Sequence, residues 1–159
     1  MITLTNEEVA ISEYIAKART AYMKARKIIN PGFSDYMSEY EMKAEGIAAE
    51  IAFCKFANIY PALNVGDLGQ TDCILHGGQT VDVKATKYPE GKLIAPRWKK
   101  PESVDIYVLM VGEIPTFECM GWVRCWEFIT PSNIIDLGKG PTYGLSQDKL
   151  NPPEQILFI

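Results

Sequence analysis

Hydrophobic and polar positions change their spacing along the chain, and these changes predict its elements. Residues 6–28 and 35–58 carry apolar residues at helical spacing, which predicts two helices separated by Asn30-Pro31-Gly32. Asn6 is the predicted N-cap of the first helix. The second helix is rich in alanine and apolar almost all round, so we expect it to be buried.

Beyond residue 70 the pattern becomes typical of strands. Residues 71–76 and 80–86 flank the turn Gly77-Gly78-Gln79 and predict a hairpin. The continuous apolar run 104–111 predicts a central strand. Further strands are predicted at 116–120 and 121–126, a short helix at 127–136, and loops at 64–70, 87–103 and 138–159.

The second strand of the hairpin carries an acid and a lysine on one face. Side chains alternate along a strand, so Asp82 and Lys84 point the same way, roughly 6.5–7 Å apart, and Val81 and Val83 point to the other face. Asp72 lies on the first strand, and hairpin pairing can bring it alongside Asp82 if the register is right. The hairpin therefore predicts a small polar site.

Glu50 lies within the apolar second helix. A buried carboxylate is unfavourable unless it is paired, hydrogen-bonded or bound to a metal. Pairing with Lys84 or with a neighbouring strand is one interpretation. Together with Asp72 and Asp82, however, Glu50 favours a divalent-metal site, because carboxylate oxygens are the ligands that such hard cations prefer.

Composition and charge set limits on the function. The 159 residues suit one domain, with a helical part at 6–58, a sheet core at 71–126 and a tail at 127–159. No apolar run approaches the length of a membrane span, and the N-terminus does not resemble a signal peptide. Cys54 and Cys73 lie in apolar elements and indicate reduced cysteines of a cytoplasmic protein.

The net charge of −4 argues against strong sequence-independent binding to nucleic acid. Two basic stretches still stand out, and in each a solvated surface is the simplest interpretation. The stretch that follows the hairpin is the better candidate for phosphate binding, and it contains Lys87, Lys92, Arg97, Trp98, Lys99 and Lys100. The other is in the first helix and contains Lys17, Arg19, Lys24, Arg26 and Lys27.

The order of these residues resembles the PD-(D/E)xK nuclease superfamily. Gly46-Ile-Ala-Ala-Glu50 is similar to its helix signature, Asp72 matches its first acidic position with Thr71 in place of the proline, and Asp82-Val-Lys84 matches its D-x-K motif. Asp67 is an alternative for the first acidic position. The resemblance covers roughly residues 40–126 and is closest to small phage-borne members.

The resemblance implies an α/β fold with a restriction-endonuclease-like core, in which a mixed central sheet of about four to five strands is flanked by helices. It also implies Mg²⁺-dependent cleavage of DNA, with Mn²⁺ as a possible substitute. Glu50, Asp72, Asp82 and the carbonyl of Val83 would hold the metal, and Lys84 would act beside it. An ordinary lysine pKa of ~10.4 favours positioning and charge stabilisation over a role as base.

Three hypotheses follow from the sequence. The first is a metal-dependent DNA endonuclease in the cytoplasm of a bacterium or a phage-infected cell, with Glu50, Asp72, Asp82 and Lys84 as its catalytic residues. The second is a non-catalytic DNA-binding or protein-interaction module on a nuclease fold. The third is a structural domain in which the charges form a buried ion-pair network. Any sequence specificity is expected from a homodimer or from a protein partner.

Overall fold

The computed structural model of the protein describes residues 1–26, 39–66 and 71–159. Its helices and strands in chain order are β1 (Ile2–Thr3), α1 (Asn6–Ala25), α2 (Glu39–Ala57), β2 (Cys73–Ile74), β3 (Thr80–Thr86), β4 (Leu93–Ala95), β5 (Ile106–Glu113), β6 (Thr116–Arg124), α3 (Cys125–Phe128), β7 (Ile134–Asp136) and β8 (Pro141–Leu145). Short 3-10 helices follow at Pro131–Asn133, Gln147–Lys149 and Pro153–Phe158.

Both predicted long helices are present, and α1 begins one residue earlier than expected. Thr5, not Asn6, is the N-cap: its hydroxyl accepts a hydrogen bond from the Glu8 amide at 3.2 Å. The Glu8 carboxylate in turn accepts one from the Thr5 amide at 2.7 Å. This reciprocal pair satisfies two amides that the first helical turn leaves without partners.

A mixed five-stranded sheet forms the centre of the fold, in the order β1-β6-β5-β3-β2. Strands β3 and β5 are parallel, with Asp82 opposite Tyr107 and Lys84 opposite Leu109. The remaining neighbours are antiparallel, including the hairpin of β2 and β3, in which Cys73 pairs with Val81. The predicted α/β class with a mixed sheet and packed helices is confirmed.

The predicted pair of strands at 116–120 and 121–126 is one continuous strand, β6. A bulge shifts its register opposite Leu109 and Met110, so the strand bends at Gly121 without ending. The glycine that suggested a boundary therefore marks a bend. Residues 127–136, predicted as one helix, hold part of α3, a 3-10 turn and β7.

A second, three-stranded sheet in the order β4-β8-β7 corrects two further expectations. The segments 87–103 and 138–159 were predicted as loops, yet they contribute β4 and β8, which pair antiparallel. These strands are three and five residues long and lie among prolines and glycines. Runs this short are hard to recognise from alternation, because their pairing depends on a partner distant in the chain.

Each face of the large sheet has its own hydrophobic core. On one face, α1 and α2 pack against alternate residues of the central strands, such as Val81, Ile106 and Val108. On the other face, Tyr107 and Leu109 pack with Phe128 of α3 and with the small sheet. Asp82 and Lys84 share the face of Tyr107 and Leu109, so they lie on the side opposite to α2.

No helix in the described ranges is long and apolar enough to cross a membrane.

The C-terminal segment packs against β6, and its backbone comes close to Gly121. Substitution of this glycine therefore tests the packing of the two segments. Gly121 has φ of +147°, and an added Cβ would lie 2.5 Å from the carbonyl oxygen of Asn151. Gly138 has φ of +90° with open space around it. We expect Gly138→Ala to lower the free energy of unfolding by about 1–2 kcal/mol through backbone strain alone. Gly121→Ala should cost more, because the clash adds to the strain.

Urea unfolding of the two variants and the wild type measures this difference. Equal losses in both variants would contradict the docking of residues 151–159 against β6.

Candidate functional site

Strand β3 carries the centre of the candidate site. Asp82 is almost completely buried, with 6% of its surface exposed, although it is a charged residue on a strand in the sheet interior. Its neighbours Val81 and Val83 point to the core beneath α2, as the alternation predicted. The same alternation places Lys84 on the face of Asp82.

Two lysine ammonium groups neutralise the Asp82 carboxylate. Lys84 Nζ lies 2.5 Å from Oδ1 as an ion pair without hydrogen-bond geometry. Lys99 Nζ donates a hydrogen bond to Oδ2 at 2.9 Å, and its side chain is only 10% exposed. A buried carboxylate needs a cation nearby, and the more deeply buried of the two lysines, Lys99, provides one that is shielded from water.

Asp72 lies beside Asp82 at the start of the hairpin, as the sequence predicted. The Asp72 amide donates a hydrogen bond to the Val81 carbonyl at 2.9 Å. Asp72 therefore lies one residue before Cys73, which is the residue that pairs with Val81. Its Oδ2 accepts a hydrogen bond from the Val83 amide at 2.7 Å. Asp72 is thus held against β3 by its own amide and by its side chain. Val83 contacts the site through its N–H, and a role for its carbonyl stays a prediction.

Glu50 reaches the cluster from α2. It is 8% exposed, and its Oε1 lies 3.6 Å from Nη1 of Arg19. Its Oε2 is buried and accepts no hydrogen bond. A buried carboxylate oxygen without a partner is unfavourable, so this atom points to a ligand or a proton.

The three carboxyl groups influence one another's ionisation. Burial is the main cause that raises the pKa of Glu50 to about 8, and the negative charge of Asp72 raises this pKa further. The positive charges of Arg19 and Lys84 act in the opposite direction and lower it. Burial and the Asp82 charge raise the pKa of Asp72 to about 6, while the hydrogen bond from Val83 opposes them. Groups that repel in this way are stabilised by a proton or a cation between them.

Arg19 belongs to the site, although the sequence grouped it with a solvated basic stretch. Its guanidinium pairs with Glu50 and donates to the carbonyls of Asn64 at 2.8 Å and Ala62 at 3.3 Å. Helical spacing could have found it: Arg19 lies four residues after Ile15 and four before Met23, both buried. Lys27 of the same stretch lies outside the described residues.

Tyr107 is a second residue that the sequence did not indicate. Its side chain is fully buried and its hydroxyl makes no hydrogen bond. Burial and the nearby Asp82 charge raise its pKa far above the ordinary value. The Lys84 ammonium lies 5.9 Å from its ring centre. A tyrosine in a continuous apolar strand carries no sequence signal of such a neighbourhood.

The predicted DNA-binding residues divide into two groups. Lys99 points inward to Asp82, which differs from the outward position expected of it. The others lie at the surface, and Trp98 is 68% exposed. Lys87 lies near Glu45, and Lys92 lies near Asp148. Exposed residues next to Lys99 are Arg97, Trp98 and Lys100.

The carboxylates suit Mg²⁺ in chemistry, because they are hard oxygen donors and Glu50 Oε2 lacks a partner. They do not converge as metal ligands: within residues 1–26, 39–66 and 71–159, no group of three or more His, Cys, Asp or Glu side chains could hold a metal ion. The lysines occupy both oxygens of Asp82 instead. Asp67, the alternative first acid, lies outside the described residues.

Comparison with known proteins identifies no relative: no family model, no curated protein and no solved structure matches this chain.

The raised pKa of Glu50 generates a prediction about stability. An acid whose pKa is higher in the folded state holds a proton that the unfolded chain releases. Stability should therefore fall as the pH rises from the ordinary value of 4.5 towards about 8, by at most about 1.4 kcal/mol per pH unit for one proton. Glu50→Gln, which cannot ionise, should remove this part of the slope.

Urea unfolding in EDTA between pH 5 and pH 8.5 measures the slope. Glu118→Gln, which alters an exposed carboxylate on β6, is the control and should behave as the wild type does. If Glu50→Gln kept the wild-type slope, the Glu50 carboxyl would not be the group that titrates.

Proposed function

We propose that this protein is a divalent-metal-dependent deoxyribonuclease that hydrolyses phosphodiester bonds. One observation carries the proposal: Glu50, Asp72 and Asp82 come from three separate segments to one buried cluster, next to Lys84. This is also the set that resembles the PD-(D/E)xK motif. Buried carboxyl groups whose pKa values are strongly raised are concentrated at functional sites, so their grouping favours a functional role.

Each residue has a distinct role in this proposal. Glu50, Asp72, Asp82 and the Val83 carbonyl would hold Mg²⁺ or Mn²⁺, and the metal would make a water molecule more acidic and offset negative charge on the phosphate. The Lys84 ammonium orients the attacking water by hydrogen bonding and stabilises charge that develops on the phosphate oxygens. Arg19 holds Glu50 in place while its guanidinium is fixed by two backbone carbonyls.

DNA contacts are proposed for the exposed residues beside the site. Arg97 and Lys100 supply positive charge, and the Trp98 ring offers a surface on which an unpaired base can stack. Lys87 and Lys92 extend the basic surface along the same segment. The net charge of −4 favours a small number of phosphate contacts. We therefore propose that a second copy of the chain or a protein partner supplies specificity for the DNA.

We place the protein in the cytoplasm of a bacterium or a phage-infected cell. Its four cysteines are buried and unpaired, which suits a reducing compartment.

The pairing of Asp82 with Lys84 and Lys99 favours a second candidate, a non-catalytic DNA-binding or protein-interaction module. In that case the lysines are permanent partners of the carboxylate and no metal enters. Incubation with supercoiled, linear, single-stranded and branched DNA, in Mg²⁺, in Mn²⁺ and in EDTA, separates the two candidates. We expect cleavage in either metal and none in EDTA. Intact DNA under every condition would favour the binding module.

Substitutions in the hairpin test the assigned roles. Asp82→Asn and Lys84→Met should each lower the cleavage rate by about a hundredfold or more, because a metal ligand or a positioned charge is lost. Asp82→Asn should also weaken binding of Mn²⁺, whereas Lys84→Met should not. The surface variants Glu90→Gln and Lys139→Met are matched controls and should keep the wild-type rate.

Thermal unfolding of each variant shows whether its fold is intact. Cleavage at the wild-type rate by folded Lys84→Met would refute the role of Lys84.

Base stacking on Trp98 is tested by binding in Ca²⁺, where turnover is not expected. Trp98→Ala should weaken binding of a single-stranded oligonucleotide by about 1–3 kcal/mol, the range for one stacked base. Trp126→Ala is the matched control, because Trp126 on α3 is similarly exposed at 62%. Fluorescence anisotropy measures both. An equal effect of the two substitutions would argue against a specific contact at Trp98.

A further inference from the structure

The segment that joins β4 to β5 reaches the buried cluster through one side chain. The structure describes all of its residues 96–103, and Lys99 is the one among them that is not exposed. The Lys99 side chain is 10% exposed and extends inward, where its ammonium donates a hydrogen bond to Asp82 Oδ2 at 2.9 Å. Lys99 therefore attaches an otherwise exposed segment to a buried carboxylate.

The Lys99 ammonium has a second neighbour, the indole ring of Trp98. Its nitrogen lies over this ring, 5.0 Å from the ring centre, within the distance at which an aromatic face attracts a cation. Trp98 is 68% exposed, so much of the ring is open to solvent. One ammonium group thus joins a buried carboxylate to an exposed aromatic ring.

Two other contacts connect this segment with the sheets, and both are weaker. The Lys100 carbonyl accepts a hydrogen bond from the Cys125 thiol at 3.3 Å, and thiols are weak donors. The Arg97 guanidinium lies 5.1 Å from the ring centre of Tyr143. A hydrogen bond between an ammonium and a carboxylate is stronger than either contact. Lys99 is therefore the main attachment of the segment.

Lys84 does not share this role, although it also pairs with Asp82. Its side chain is 32% exposed, and its backbone is fixed by the pairing of β3 with β5. The place of Lys84 in the fold does not depend on the ion pair. Lys99 comes from a segment without strand pairing, so its contact with Asp82 decides where Trp98 lies.

We propose that Lys99 is a positioning residue that uses its ion pair with Asp82 to hold the Trp98 ring as a stacking platform beside the buried cluster. The ammonium lies over the indole, and the solvent-exposed part of the ring is left for an unpaired base of single-stranded DNA. The inference rests on the DNA contacts proposed above and requires no metal.

A double-mutant cycle tests whether Lys99 acts through Trp98. The probe is a labelled single-stranded oligothymidylate, and its binding in EDTA is followed by fluorescence anisotropy. Lys99→Met should weaken binding about fivefold or more in the wild-type background, and much less in the Trp98→Ala background, where the positioned ring is absent. Equal factors for Lys99→Met in the two backgrounds overturn the inference.

Lys100→Met is the matched control for this cycle. It removes the same charge from an exposed neighbour of Lys99. Loss of a phosphate contact does not depend on the indole, so Lys100→Met should weaken binding by the same factor in both backgrounds. Thermal unfolding shows which of the variants are folded.

A second measurement keeps Lys99 in place and so does not depend on how its variant folds. Of the three tryptophans, Trp126→Phe leaves Trp98 exposed and Trp122 buried. Time-resolved anisotropy of indole fluorescence then reports the motion of the Trp98 ring on the nanosecond timescale. A ring held by Lys99 should lose little anisotropy before the whole protein rotates. A large loss within the first nanosecond, or an equal loss in folded Lys99→Met, overturns the inference.

This inference and the proposed nuclease can fail separately. Coupled effects of Lys99→Met and Trp98→Ala, without cleavage of any DNA by the wild type, support the positioning role and refute the nuclease. Metal-dependent cleavage with independent effects of the two substitutions refutes the positioning role and leaves the nuclease. Absence of oligonucleotide binding by the wild type refutes the positioning role, and the cleavage assay then decides on the nuclease alone.

Discussion

The burial of Asp82 in the sheet interior is the constraint on which the rest of the site depends. An ionised carboxylate removed from water must be neutralised nearby, because its transfer to a low-dielectric interior is strongly unfavourable. The chain meets this requirement from two directions, with Lys84 from the same strand and Lys99 from the segment after β4. The small second sheet helps to hold that segment against the face that Asp82 occupies.

The parallel pairing of β3 with β5 determines how the cluster is arranged. It places Asp82 opposite Tyr107, on the face away from α2, while Glu50 approaches from the α2 side. Asp72 connects them because it lies at the edge of the sheet, where its carboxylate receives the Val83 amide. The three carboxyl groups influence one another through charge, whereas Lys84, Lys99 and Arg19 contact them directly.

The buried carboxyl groups of this cluster need a neutralising partner, and more than one kind of partner can supply it. With protons or lysine partners, the carboxyl groups are neutralised internally, and the raised pKa values of Glu50 and Asp72 express how much they repel. A divalent cation is an alternative way to offset the same repulsion. A nuclease and a structural ion-pair network therefore differ in which cation the cluster prefers.

The sequence alone determined the two long helices, the hairpin and the central strand β5, and it indicated Glu50, Asp72, Asp82 and Lys84 as candidate site residues. Alternation along 80–86 placed Asp82 and Lys84 on one face, and helical spacing buried Glu50, since both patterns depend on local geometry. Tertiary structure decided what local patterns do not contain: the pairing of β4 with β8, the contact of Arg19 with Glu50 and the inward turn of Lys99. Each joins residues that are distant in the chain, and a lysine in a loop has the same sequence signal whether its ammonium meets water or a buried carboxylate.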